Sequence, residues 1–291
     1  VLFWDLVKIA LFLILALFAA GPSWAIEKGG MPDLAQIDNT CLPTSAANLM
    51  IWFGKHGYPK LIQPGATGDE SADHVVHRLM ADTGARYDIG TEMDAVTRGL
   101  EAYIHRSGYA CDVEYRGLDG KSAFSQDWLQ QNDDPNKGFV LLLTYCRYNP
   151  QNNSFSEAWN AGHAVTLVNA EPDLLLIHDP AHDETETGRK IITPRLLTSG
   201  MFEDAGAPMP VAGLLMLSGS LLEAPPDSQV MLTGAVCITL HQNGSASPAP
   251  MSGPNTMLAG PAGNGTAPTS SAASSAKAGW WSWVLSLVLG K

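Results

Sequence analysis

The feature that most restricts the fold of this chain is a change of apolar periodicity near residue 110. Upstream, apolar residues recur at helical spacing. Leu42, Ala46, Leu49, Met50 and Phe53 form one stripe, and Met93, Val96, Leu100, Tyr103 and Ile104 form another. Pro43 beside the start of the first stripe, with Gly57 and Pro59 beyond its end, predicts a helix running to about Gly54 or Lys55, with Cys41 at or next to its N-cap. A second helix is expected over 71–81 and a third over 91–107, the latter opening with Thr91-Glu-Met-Asp94 in capping-box form. Downstream, short apolar and β-branched runs predict strands at 111–115, 139–146, 163–168, 174–179, 211–217 and 230–240. Helices followed by strands define an α+β domain, a helical part packed on an antiparallel sheet.

The two ends are expected to lie outside that domain. Lys8 precedes the apolar run 9–20, and Ser23-Trp24-Ala25 sets small residues where a signal peptidase reads them. Residues 1–25 are therefore expected to be a signal peptide, or an uncleaved anchor because Asp5 offsets Lys8. Either implies export, to the periplasm, the extracellular space or the cell surface, with possible membrane association. The folded domain is expected over 26–243. From Gly244 to Gly279 the composition turns to Gly, Ser, Ala, Pro, Thr and Asn with only Lys277 charged, which predicts a flexible linker. Residues 280–291 form a Trp-rich apolar tail that, as a helix, reaches roughly 18 Å against a hydrocarbon core of ~30 Å. It suits a membrane interface, a hydrophobic partner or the surface of its own domain more than a span. A net charge of -12, a pI near 5.0 and no Lys/Arg cluster argue against nucleic acid as a partner.

Chemistry concentrates at three points. Cys41 stands where the first helix begins, in Gln36-Ile-Asp-Asn-Thr-Cys41-Leu-Pro-Thr-Ser45. Far downstream come Gly162-His163-Ala-Val165 and His178-Asp179-Pro180. A thiol followed by a distant histidine and a carboxylate has the chain order of nucleophile, base and orienter. A turn centred on Glu171 would oppose residues whose numbers sum to 342, which pairs His163 with Asp179 and turns His178 to the other face. Opposed residues hold their Cβ atoms about 4.5–5.5 Å apart, close enough for a carboxylate to fix an imidazole tautomer. A helix N-terminus and a histidinium both favour the thiolate at Cys41. Donors for an oxyanion would be the Cys41 N–H and the Gln36 side-chain amide.

These motifs resemble the C39-like cysteine peptidases of the papain-like superfamily. The resemblance rests on Gln36-x4-Cys41-x-Pro-Thr-Ser45, on Gly90-Thr91 opening a helix that closes at Ser107-Gly-Tyr109, on Gly162-His-Ala-Val165 and on His178-Asp-Pro180, and it covers about residues 31–185. It implies a papain-like fold and hydrolysis of peptide or isopeptide bonds, with Cys41, His163 and Asp179 as catalytic residues, Gln36 at the oxyanion, a peptide or protein substrate and no cofactor. Leu42 stands where the family usually has glycine, and Gln36 is one residue closer to the cysteine than usual.

Three alternatives accompany this reading. One is a papain-like module that binds peptides without cleaving them, and another is acyl transfer to an amine in place of water. The third is a metal site built from His178, Asp179, His182 and Asp183, with His74 and His77 three apart on a helix. The remaining cysteines suggest one disulfide in an exported protein, between Cys111 and Cys146 in two expected strands, with Cys237 a buried thiol in Ala235-Val-Cys-Ile-Thr-Leu240.

Overall fold

The computed structural model of the protein describes residues 28–62, 69–88, 90–91, 93–118, 125–181, 190–203, 208–218 and 227–241; the expected signal segment, linker and tail lie outside them. The chain first forms three helices, α1 (Cys41–Lys55), α2 (Asp69–Thr83) and α3 (Met93–Arg106). After β1 (Ala110–Gly117) and a short α4 (Gln126–Gln130) come β2 (Lys137–Asn149), β3 (Ser154–Glu171) and β4 (Leu174–His178). β5 (Lys190–Leu196), β6 (Met201–Glu203), β7 (Met209–Pro210), β8 (Leu215–Ser218) and β9 (Gln229–His241) complete the sheet. The fold is α+β, as expected. No helix among the described residues is long and apolar enough to cross a membrane.

Antiparallel pairing closes a ring of strands: β2 with β3, β3 with β4, β4 with β5, β5 with β8, β8 with β9, and β9 back to β2. β1 extends along the C-terminal half of β9, and β6 runs parallel to the start of β3. Side chains alternate between two cores. Leu141, Leu143, Val165, Leu167 and Ile177 join the core enclosed by the ring, while their neighbours Val140, Ala164 and Val168 join the core shared with the helices. Burial on both faces explains why β2, β3 and β9 read as apolar runs instead of strict alternation.

Helix α1 is buried at every position from Leu42 to Gly54, so it is a central helix between the barrel and its two companions. Its approach to β2 is close: a Cβ on Gly138 would stand 2.7 Å from Leu49. Two polar residues on this helix, Ser45 and Asn48, are buried at the barrel face. Ser45 Oγ donates to Ala164 O at 3.0 Å, Thr166 Oγ1 donates to Ser45 O at 2.9 Å, and Asn48 Nδ2 donates to Thr166 Oγ1 at 3.1 Å. Each buried bond contributes about 1 kcal/mol. Together they fix how far α1 slides along β3.

Three expectations require correction. The strand expected at 211–217 is the shorter β8, because Gly213 at φ 93° turns the chain ahead of it. β5, β6, β7 and the first half of β3 lie outside the expected strands; β5 carries Pro194, a residue that argues against a strand until its edge-like pairing with Leu217 is seen. The disulfide between Cys111 and Cys146 is absent, and all four cysteines are free. Cys111 pairs with Leu240 and Cys146 with Gln229 of the same β9, which separates them by eleven strand positions, ~36 Å at about 3.3 Å each. A disulfide needs Cα atoms within about 7 Å. Cys237 is buried, as expected.

Candidate active site

Cys41 is the first residue of α1, behind Thr40 at the N-cap. Thr40 Oγ1 turns back to its own loop, donating to Ile37 O at 2.7 Å and accepting the Ile37 N–H at 3.1 Å, so the loop before the thiol is locked. The first turn of a helix leaves N–H groups without intrahelical acceptors. Here Pro43 has none, the Thr44 N–H returns to Thr40 O at 3.0 Å, and the Leu42 N–H bonds the Cys41 sulfur. Cys41, as the first residue of the helix, carries one of these first-turn N–H groups.

His163 lies on β3 just past a bend. Between the pairs Thr144 with Gly162 and Cys146 with Glu157, five positions of β3 stand against two of β2, so β3 bulges by three residues beside the histidine. Asp179 follows directly on β4. The register that joins them differs from the expected one. The turn is Pro172-Asp173, and Glu171 pairs with Leu174, a sum of 345 that would put His178 on the face of His163. A one-residue irregularity between Leu167 and Asn169 changes the sum to 344, as in Thr166 with His178. Asp179 then extends opposite Val165, two residues from His163 and on its side, so the pair is diagonal and not directly opposed. The contact is made: His163 Nε2 lies 2.6 Å from Asp179 Oδ1. Asp179 Oδ1 also accepts the Ala181 N–H at 3.0 Å.

With Nε2 on the carboxylate, Nδ1 is the ring nitrogen left for the Cys41 thiol, to which His163 is hydrogen-bonded. Burial pushes the Cys41 thiol up, but the His163 hydrogen bond and charge, together with the Ala164 and Leu42 N–H groups, outweigh it and hold the thiol below its ordinary value. Burial likewise works against the charged imidazole. The Asp179 and Cys41 hydrogen bonds and charges overcome it and raise His163 from 6.5 to about 10. Opposite shifts in a touching pair favour thiolate and imidazolium together.

Gln36 lies on the loop that meets Asp179, with its N–H donating to Pro180 O at 2.8 Å. Its side-chain Nε2 donates to Asp38 O at 2.7 Å, and its Oε1 is buried without a hydrogen-bond partner. His178 faces away from the thiol, as expected, with Nδ1 donating to Pro32 O at 2.9 Å. That divides the metal set proposed from sequence: Asp179 and His178 serve opposite faces, His74 and His77 are exposed on α2, and residues 182 and 183 lie outside the described residues. Among the described residues no group of three or more His, Cys, Asp or Glu could hold a metal ion.

Sequence reasoning overlooked the residues that carry this alignment. Ser45, Asn48 and Thr166 join the thiol's helix to the histidine's strand, and the Ala164 N–H reaches the sulfur. Their signal was legible, since Ser45 and Asn48 interrupt an otherwise apolar helix.

No family model matches the chain, and no curated protein matches it. Among solved structures, it is distantly similar to a candidate C39-like peptidase from Bacillus anthracis, at 15% identity over 53% of this chain and 82% of that one, with a TM-score of 0.34. It is also similar to the Pseudomonas avirulence protein AvrPphB, at 12% identity over 74% of this chain and 100% of that one, with a TM-score of 0.25.

Proposed function

We propose that this protein is an exported cysteine peptidase that hydrolyses peptide or isopeptide bonds through Cys41, His163 and Asp179. The observation that supports this most is the continuous chain of thiol, imidazole and carboxylate, closed by the 2.6 Å contact between His163 and Asp179. The Cys41 thiolate attacks the scissile carbonyl carbon, and the carbonyl π electrons move to oxygen. The Cys41 N–H at the helix end stabilises that oxyanion, with the Gln36 amide as second donor once it turns from Asp38. His163 Nδ1–H protonates the leaving amine as the tetrahedral intermediate collapses to a thioester. Neutral His163 then takes a proton from water, whose oxygen attacks the thioester and releases the acid. Asp179 holds the ring in the required orientation throughout.

The occupied Gln36 amide favours one other reading, a papain-like module that binds peptides without turnover. Iodoacetamide labelling of Cys41 from pH 4 to 9 separates the two, measured beside His163→Ala. Rapid labelling that persists below the ordinary thiol range and is lost in the variant supports the peptidase. An ordinary thiol titration that ignores the variant leaves the binding module. Export is proposed on the apolar run behind Lys8 and on Ser23-Trp24-Ala25, and is tested by fractionating cells and sequencing the N-terminus of the mature chain. Segment 280–291 is proposed to contact a membrane interface or hydrophobic partner, tested by vesicle co-sedimentation with and without it.

A further inference from the structure

Asp179 stands in the loop that leaves β4, where its carboxylate is oriented by whatever holds that loop. The residues on both sides of it are tied to one N-terminal segment. His178 Nδ1–H donates to Pro32 O at 2.9 Å, and the Gln36 N–H donates to Pro180 O at 2.8 Å. The segment is itself anchored on α1 and the barrel. Lys28 is 1% exposed; its Nζ donates to Asn132 O at 2.6 Å and Asp134 O at 3.1 Å and lies 4.5 Å above the Trp52 ring. The Trp52 Nε1–H donates to Gly29 O at 3.2 Å, and the Leu34 N–H donates to Asn48 Oδ1 at 3.2 Å. Asn48 is the same side chain that bonds Thr166 on β3. Residues 28–36 therefore bridge the thiol's helix and the carboxylate's loop.

We propose that His178 is a positioning residue for Asp179, acting through its bond to Pro32 O in this clamp; the proposal rests on the Cys41, His163 and Asp179 reading. His178 is 5% exposed, with Asp33 Oδ1 4.0 Å away, so its ring is held in one place. Removing the Nδ1–H donor leaves Pro32 O unpaired and frees one of the two tethers beside Asp179. The carboxylate then spends less time against His163 Nε2, and the imidazolium loses support. The role belongs to the ring nitrogen nearest the backbone. Asparagine places an N–H at the position of Nδ1, whereas glutamine places it one carbon further out.

The test is an NMR titration of the His163 ring in the full chain carrying Cys41→Ala, which removes the thiol and isolates the histidine from it. The parent is expected to titrate above 6.5, the value from which His163 is raised. His178→Leu and His178→Gln are expected to lower that midpoint by about one unit, tenfold in proton affinity, while His178→Asn stays within about 0.3 units of the parent. Where the leucine variant fails to fold, the glutamine and asparagine variants decide, since both keep a polar side chain. An unchanged midpoint in His178→Gln overturns the proposal, and so does an asparagine variant that falls as far as glutamine. A parent that titrates at or below 6.5 removes the triad reading beneath it.

Discussion

Asp179→Asn, made in a chain that already carries Cys41→Ala, should collapse the proton affinity of His163. Three influences act on that ring: burial lowers its affinity, and the hydrogen bonds and charges of Asp179 and Cys41 raise it. The double substitution removes both charges and leaves burial with a neutral hydrogen bond at Nε2. With Nε2 and Oδ1 2.6 Å apart, the centres of the delocalised charges are about 4 Å apart. At an effective dielectric near 20 their attraction is about 4 kcal/mol, or ~3 pKa units at 1.36 kcal/mol each. Asparagine still offers an oxygen to the Nε2–H, so the loss measured is chiefly that of charge. Histidine ring resonances followed against pH should place His163 above 6.5 in Cys41→Ala and below 6.5 in the double variant, about three units apart. A double variant still titrating above 6.5, or a difference under about one unit, would refute the claim that Asp179 makes the imidazolium.

Other outcomes follow from the packing and the thiols. All four cysteines should react with a chromogenic disulfide in denaturant without reductant, and two reactive thiols would restore the Cys111 and Cys146 bridge. Gly99→Ala on α3 should destabilise the fold by about 3 kcal/mol, because its Cβ would stand 2.6 Å from Asp82 O and Thr83 Cα on α2; an unchanged urea midpoint would show that the two helices part freely. Stability should fall above pH 9. Burial pushes Cys111 and Cys146 up to about 12 and Cys237 up to about 11, so from their ordinary 9.0 upward the unfolded chain holds fewer protons than the folded one. Burial holds Lys28 down at about 8 from 10.5, which acts in the opposite sense between those values. Between pH 9 and 10 His163, raised from 6.5 to about 10, acts in the same sense as the three thiols. Four groups against one leave a net three protons, ~4.1 kcal/mol per pH unit at most over that window, and a urea midpoint at pH 10 that equals or exceeds the one at pH 8 would contradict this.

The order of helices and strands, the placing of Cys41 at a helix start and the three residue types of the candidate site are all legible in the amino-acid sequence. These are local properties: Pro43 favours a first helical turn, the stripe from Leu42 to Phe53 has one period, and Gly162-His163 opens an apolar run. Register was another matter. The expected pairing put His163 directly opposite Asp179, and the two do meet, but through a different turn and an extra residue near Val168 that returns Asp179 to the right face. A single residue inverts every side chain beyond it, and nothing in an isolated strand marks where such an irregularity falls. The same holds for the cysteines, which look pairable as strand residues until β9 is seen to hold them at opposite ends. The bonds from Ser45 and Asn48 to β3, and from residues 28–36 to the loop around Asp179, cross more than a hundred positions of chain. They emerge with the packed fold, because a hydrogen bond across that separation depends on where two independently formed elements come to rest, and neither element carries the other's address.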